Sequence, residues 1–142
     1  MFDNGMIAPV LALVLWTLVM WLWLYAARIP AMRKAGIDPQ EAERTGKLDL
    51  PRAVQRPAEN YNHLHEQPTI FYAAALSIQI ASAADSMAIT LAWAYVGLRI
   101  IHSLVQATAN IIMLRFLIFT IASITLAWMV IRAALELQIW RM

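Results

Sequence analysis

Residues 56–72 read RPAENYNHLHEQPTIFY. The first eleven of them hold Arg56, Glu59, Asn60, Asn62, His63, His65 and Glu66, and the run then passes Pro68 into apolar sequence. Ionisable groups at membrane depth are costly, so a polar cluster feeding an apolar helix marks a site by default. The rest of the chain is suited to hydrocarbon. Hydrophobic residues make up 61% of the 142, charged residues 14%, and the mean hydropathy is +0.59. Those values belong to an integral membrane protein of a single domain.

Upstream of the cluster, residues 7–27 form an apolar run of 21 residues broken only by Pro9 and Thr17. At about 1.5 Å per residue it is long enough to cross a hydrocarbon core of about 30 Å. Asp3 is the only charge ahead of it, and it lacks the basic flank of a cleaved leader, so a retained transmembrane helix is expected. Trp21, Trp23 and Tyr25 precede Arg28 as an aromatic belt at the headgroup level. Downstream, apolar patterning predicts spans over residues 62–84, 87–109 and 114–135, with a tight turn at Asp85-Ser86. The expectation is an all-α, four-span membrane bundle. Its long connection, 28–57, is punctuated by Pro30, Gly36, Pro39, Gly46 and Pro51. Asp38 before Pro39 predicts a short helix there, running to about Thr45.

Seven of the eleven Lys and Arg residues fall in that connection, interleaved with Asp38, Glu41, Glu43 and Asp49 and followed by Glu59. Interleaved acids argue against a phosphate-binding stripe, so no nucleic-acid partner is expected. Basic loops stay on the cytoplasmic side, which places the 28–57 loop in the cytoplasm and both termini outside it, in the periplasm if the membrane is a bacterial inner membrane. Cysteine is absent, which excludes disulfides, thiolate metal sites and a cysteine nucleophile.

Arg99, His102, Gln106 and Asn110 are spaced by three, four and four residues and share one helical face. Glu66 is expected to meet Arg99 or His102 across the bundle, and an interhelical pair that fixes register is the plain reading of that contact. One carboxylate cannot neutralise Arg56, Arg99 and Arg115 together, so a cavity that accepts an anion is the sharper reading. Arg132 and Glu136 can pair near the other face of the membrane. His63 and His65 diverge by about 200° on a helix and cannot share an ion there, so no metal site is expected. Ala73-Ala74-Ala75 and Ala81-Ser82-Ala83-Ala84 permit close helix packing without fixing a stoichiometry.

RPAENYNHLHEQPTIFY, the third-span sequence AYVGLRIIHSLVQATAN and Arg115 beyond it together resemble the membrane-associated proteins in eicosanoid and glutathione metabolism, the MAPEG family. The likeness runs through all four spans and is nearest to an uncharacterised bacterial branch with an Asn-x-x-Asn-Leu-x-Glu-x-Pro-like signature, represented here by Asn60, Asn62, Glu66 and Pro68. The resemblance implies a four-helix bundle assembled as a homotrimer, with glutathione between neighbouring protomers near the cytoplasmic side. Carried over by motif, it implies Arg28, Arg56, Asn60 and His102 as glutathione-binding residues and Arg115 as the cation that stabilises the thiolate. Asn62, Glu66 and Arg99 join that candidate set from their place in the polar cluster. The chain departs from the family pattern at His63, where an acid is expected, and at Gln106, where a tyrosine is. The carboxylate for the glutathione amino group then falls to Glu66 or Glu59.

Two functions of different class follow. One is a glutathione-dependent transferase or peroxidase acting on a lipophilic small molecule that enters from the bilayer. The other is a non-catalytic trimeric scaffold, accessory subunit or binder of membrane lipid. A transporter is disfavoured, because four unbroken helices offer no alternating-access device.

Overall fold

Three helices dominate the structure, a computed structural model that describes residues 5–46 and 49–138. They are α1 (Ile7–Ala35), α5 (Ser86–Ala107) and α6 (Ile112–Glu136), each long and apolar enough to cross a membrane. Between α1 and α5 lie α2 (Pro39–Thr45), α3 (Arg52–His63) and α4 (Gln67–Ile80). No strand occurs among the described residues. Helices satisfy their own backbone groups, which is what a segment in lipid must do.

Each boundary has a chemical cause. α1 does not stop at Ala27 but runs on through Pro30 to Ala35. Proline forgoes one backbone bond without ending a helix whose turns are otherwise intact. The stop is Gly36, at φ 64°, whose N–H bonds to the Arg33 carbonyl while the Ile37 N–H reaches Met32. This is the left-handed closure that glycine permits. Much of the expected 28–57 loop is therefore helical. α2 begins where Asp38 accepts a hydrogen bond from the Gln40 N–H at 2.9 Å.

Residues 62–84, expected as one spanning helix, are divided. α3 ends at His63, Leu64 to Glu66 form a break, and α4 occupies only 14 residues. Pro68 has no N–H to offer the Leu64 carbonyl and sits in the first turn of α4, where proline is tolerated. At its far end α4 closes on Ser82, at φ 57°, with the Ala83 N–H bonded to the Ile78 carbonyl at 3.0 Å. Residues 81–84 therefore connect helices rather than pack as a small-residue helical face, whereas Ala75 is fully buried.

α5 and α6 pair most extensively, and α1 lies against α3 and α5. Their core joins Leu13 and Met20 of α1, Phe71 and Ala75 of α4, Ala92 and Tyr95 of α5, and Ala122 and Met129 of α6. The alanines let the helices approach closely, the usual basis of association in lipid. Phe71 stacks on Tyr95 with ring centroids 4.6 Å apart. Tyr95 in turn donates to Gln67 Oε1, and Gln67 Nε2 donates to Ser123 Oγ at 2.7 Å, tying α4, α5 and α6. Outward, α1 presents Leu11, Leu15, Leu18 and Leu22, each at least half exposed. Spacings of four, three and four make a single apolar stripe for hydrocarbon or another protomer.

At the end of the bundle remote from α2, Asp85 caps α5 by accepting from the Ala88 N–H at 2.8 Å. Arg132 of α6 reaches across and binds the same carboxylate with both guanidinium nitrogens, Nη1 to Oδ1 at 2.7 Å. Its expected partner, Glu136, lies farther off at 3.9 Å. The Arg132 hydrogen bonds and the Ala88 N–H hold the Asp85 pKa down, from 3.8 to about 2. A depressed carboxyl pKa adds stability that is complete above the unfolded pKa and is lost as pH falls through the folded one. The thermal midpoint of wild type in detergent should therefore exceed that of Asp85→Asn above about pH 4, and the gap should close towards about pH 2. A gap of constant size across that window would remove the pair from the pH response.

Candidate functional site

α5 buries the polar face that its spacing predicts. Arg99, His102, Ser103 and Gln106 are all within 4% of complete burial. Asn110, the last of the stripe, lies beyond the helix in a left-handed conformation at φ 54°. Asparagine tolerates that conformation better than most residues.

α3 lies against this face. Asn60 is fully buried and donates through Nδ2 to Ser103 Oγ. Arg99 Nη2 donates to the His63 carbonyl at 3.1 Å and so satisfies one of the orphan acceptors at the end of α3. The Arg99 guanidinium also sits 5.6 Å from the centre of the Phe119 ring on α6, a cation–π arrangement. Glu66 meets neither Arg99 nor His102. Its Oε2 lies 2.6 Å from His63 Nδ1, and its side chain is 68% exposed. The break between α3 and α4 explains the difference, because it turns Glu66 away from the face that a continuous helix would have presented.

α6 supplies Arg115 in its first turn, where Nη1 donates to Asn110 Oδ1 at 2.5 Å. Arg115, Ile112, Phe116 and Phe119 line, with His63 and His102, an open cavity at the protein surface of about 380 Å³, with Ile112 and Phe116 largely exposed. Around this region several buried polar atoms have no hydrogen-bond partner among the described residues: Asn60 Oδ1, Arg99 Nε and Nη1, His102 Nδ1, Gln106 Oε1 and Arg115 Nε. Buried polar atoms are nearly always paired, so a cluster of orphans, most of them on cations or on an imidazole, needs an account.

The remaining candidates lie elsewhere. Arg56 donates to the Thr108 carbonyl at the end of α5. Arg28 and Asn62 are on the opposite flank of α3, where with Leu50, Val54 and Glu59 they line a second cavity of about 200 Å³. Within one chain the candidates thus divide. Asn60, Arg99, His102 and Arg115 gather between α3, α5 and α6, with Glu66 linked to them through His63. Arg28 of α1 and Asn62 of α3 meet instead at the second cavity. His63 and His65 do point apart, His63 towards His102 and Phe119, His65 back onto Tyr61.

Sequence reasoning missed Phe119, Ser103 and the inward place of His63. Phe119 carries a readable signal, four residues after Arg115 and hence on its face. Ser103 follows His102 directly but lies off the three-four-four spacing.

Long apolar helices around a buried polar cluster make this an integral membrane protein. The family comparison is more specific: the MAPEG family model matches residues 6–135, and the chain belongs to that family. No curated protein and no solved structure matches the chain.

Proposed function

We propose that the protein binds glutathione, or a closely similar anionic thiol, between neighbouring protomers of a homotrimer and presents the thiol to a lipophilic electrophile from the bilayer. The observation that carries this reading is the set of orphaned donors on Arg99 and Arg115, neither of which has an ion pair among the described residues, beside an open cavity of about 380 Å³. An anion is what such a set accepts, and arginine holds carboxylates in a bidentate fork. Four spans complete the bundle in this reading, α3 and α4 together forming the second. The loop end of the bundle is cytoplasmic and the membrane is a bacterial inner membrane.

The division of the candidates supports a shared site. Arg28 and Asn62 on one flank of α3 and Arg115 and His102 on the other reach a single ligand when two protomers meet. Glutathione supplies the thiol that does the chemistry. The chain binds its carboxylates through Arg56, Arg28 and Arg99, and Glu66 or Glu59 takes its amino group. Arg115 steadies the negative charge on sulfur, since a cation beside a thiol lowers its pKa and creates the nucleophile.

Calorimetry on the detergent-purified protein tests the binding half. Saturable glutathione binding is expected, weakened by about 10–100-fold in Arg56→Ala, the usual cost of a lost charged hydrogen bond. No binding at millimolar glutathione would favour a scaffold, accessory-subunit or lipid-binding role instead. The observation on that side is the pair of departures at His63 and Gln106, the latter buried with its Oε1 unpartnered.

A further inference from the structure

We propose that His63 and Glu66 form an imidazole–carboxylate pair that takes the proton from the bound thiol, with His63 as the general base and Glu66 as its positioning residue. The inference rests on the reading of the cavity as a thiol site.

Three observations carry it. Glu66 Oε2 lies 2.6 Å from His63 Nδ1; an ionised carboxylate only accepts, so the contact favours a proton on Nδ1, and the neutral imidazole then carries its lone pair on Nε2. Nε2 has no hydrogen-bond partner among the described residues. The His63 ring lines the same cavity as Arg115 and is held there, 5.5 Å from Phe119 in a stacked arrangement and 5.2 Å from His102. A pair that merely stapled the break between α3 and α4 would have no need of a ring turned into the cavity while its carboxylate faces out.

The charged and titratable groups around His63 fit the role. Arg99 and His102 face it from α5 and Arg115 shares its cavity from α6. The guanidinium groups of Arg99 and Arg115 oppose a positive charge on His63, and Glu66 is the acid that offsets it. Nε2 accepts the thiol proton, the S–H bonding pair stays on sulfur beside Arg115, and Nδ1–H continues to donate to Glu66. The sulfur lone pair then forms the bond to the electrophile. The imidazolium returns its proton to the leaving group, or to the adduct where nothing leaves. Protons and electrons balance without an oxidant or a metal. An imidazole poised in this way contributes about 10²–10⁴-fold to a proton-transfer step.

The test reads proton movement rather than activity. Glutathione is titrated into the detergent-purified protein at about pH 8. Thiolate formation is followed by ultraviolet difference absorbance, and calorimetry in buffers of different ionisation enthalpy gives the protons released. Wild type is expected to form thiolate with almost no net proton release, because the proton stays on His63. His63→Asn is expected to form little thiolate, or to release about one proton for each thiolate formed. Glu66→Gln alters an exposed side chain and spares the fold. Loss of its opposite charge should move the thiolate midpoint up by about one pH unit. About one proton released per thiolate in wild type, or variants that match wild type, would overturn the assignment while leaving the glutathione reading intact. Failure of wild type to bind glutathione would overturn both.

Discussion

Arg115→Ala is expected to lower glutathione-dependent turnover by about 10²–10³-fold, the cost of removing one well-placed donor from a site of developing negative charge. Asn110 sits at φ 54° just past α5, and its Oδ1 receives Arg115 Nη1 at 2.5 Å. That bond fixes the guanidinium at the mouth of α6 while its Nε remains buried and unpartnered. Truncation removes a cation from a cavity wall, not a member of the hydrophobic core, so the thermal midpoint should hold. Arg115→Lys retains the charge without the fork and should fall between the two. Turnover of a lipophilic aryl halide, measured beside the thermal midpoint, checks both halves. Unchanged turnover in Arg115→Ala would take Arg115 out of the chemistry.

The membrane character and the polar face of α5 were legible in the sequence because both depend on local periodicity. Arg99, His102 and Gln106 recur at helical spacing, and they are buried together. Asp38 before Pro39 likewise announces α2, since capping is a matter of a few adjacent residues. Features that depend on tertiary partners were not legible. Pro30 and Pro68 look alike in sequence, yet α1 runs through the first and the second opens a new helix. The break at Leu64 to Glu66 turns Glu66 towards His63, so the pairing that charge alone favours, Glu66 with Arg99, does not form. Asp85 reads as a turn residue, and its grip on Arg132 follows only from where α6 ends. The division of the site between two flanks of α3 could not be read from spacing either. It depends on which helix lies on each side.

That division gives the central claim its sharpest consequence. In a closed ring of identical subunits each interface joins two different faces of the protomer. If Arg28 comes from one protomer and Arg115 from its neighbour, each single variant spoils every site in its own homotrimer. Mixed assemblies behave differently. An interface in which the Arg28→Ala chain supplies Arg115 and the Arg115→Ala chain supplies Arg28 is fully wild type. Random assortment of equal amounts makes about one interface in four of that kind.

The measurement is turnover per protomer for Arg28→Ala, for Arg115→Ala, and for the two chains co-expressed with different tags and purified through both. Each single variant should be nearly inactive, and the doubly purified mixed trimers, each with one intact interface in three, should recover up to about a third of wild-type turnover. A mixed preparation no more active than the single variants would contradict a glutathione site shared between protomers.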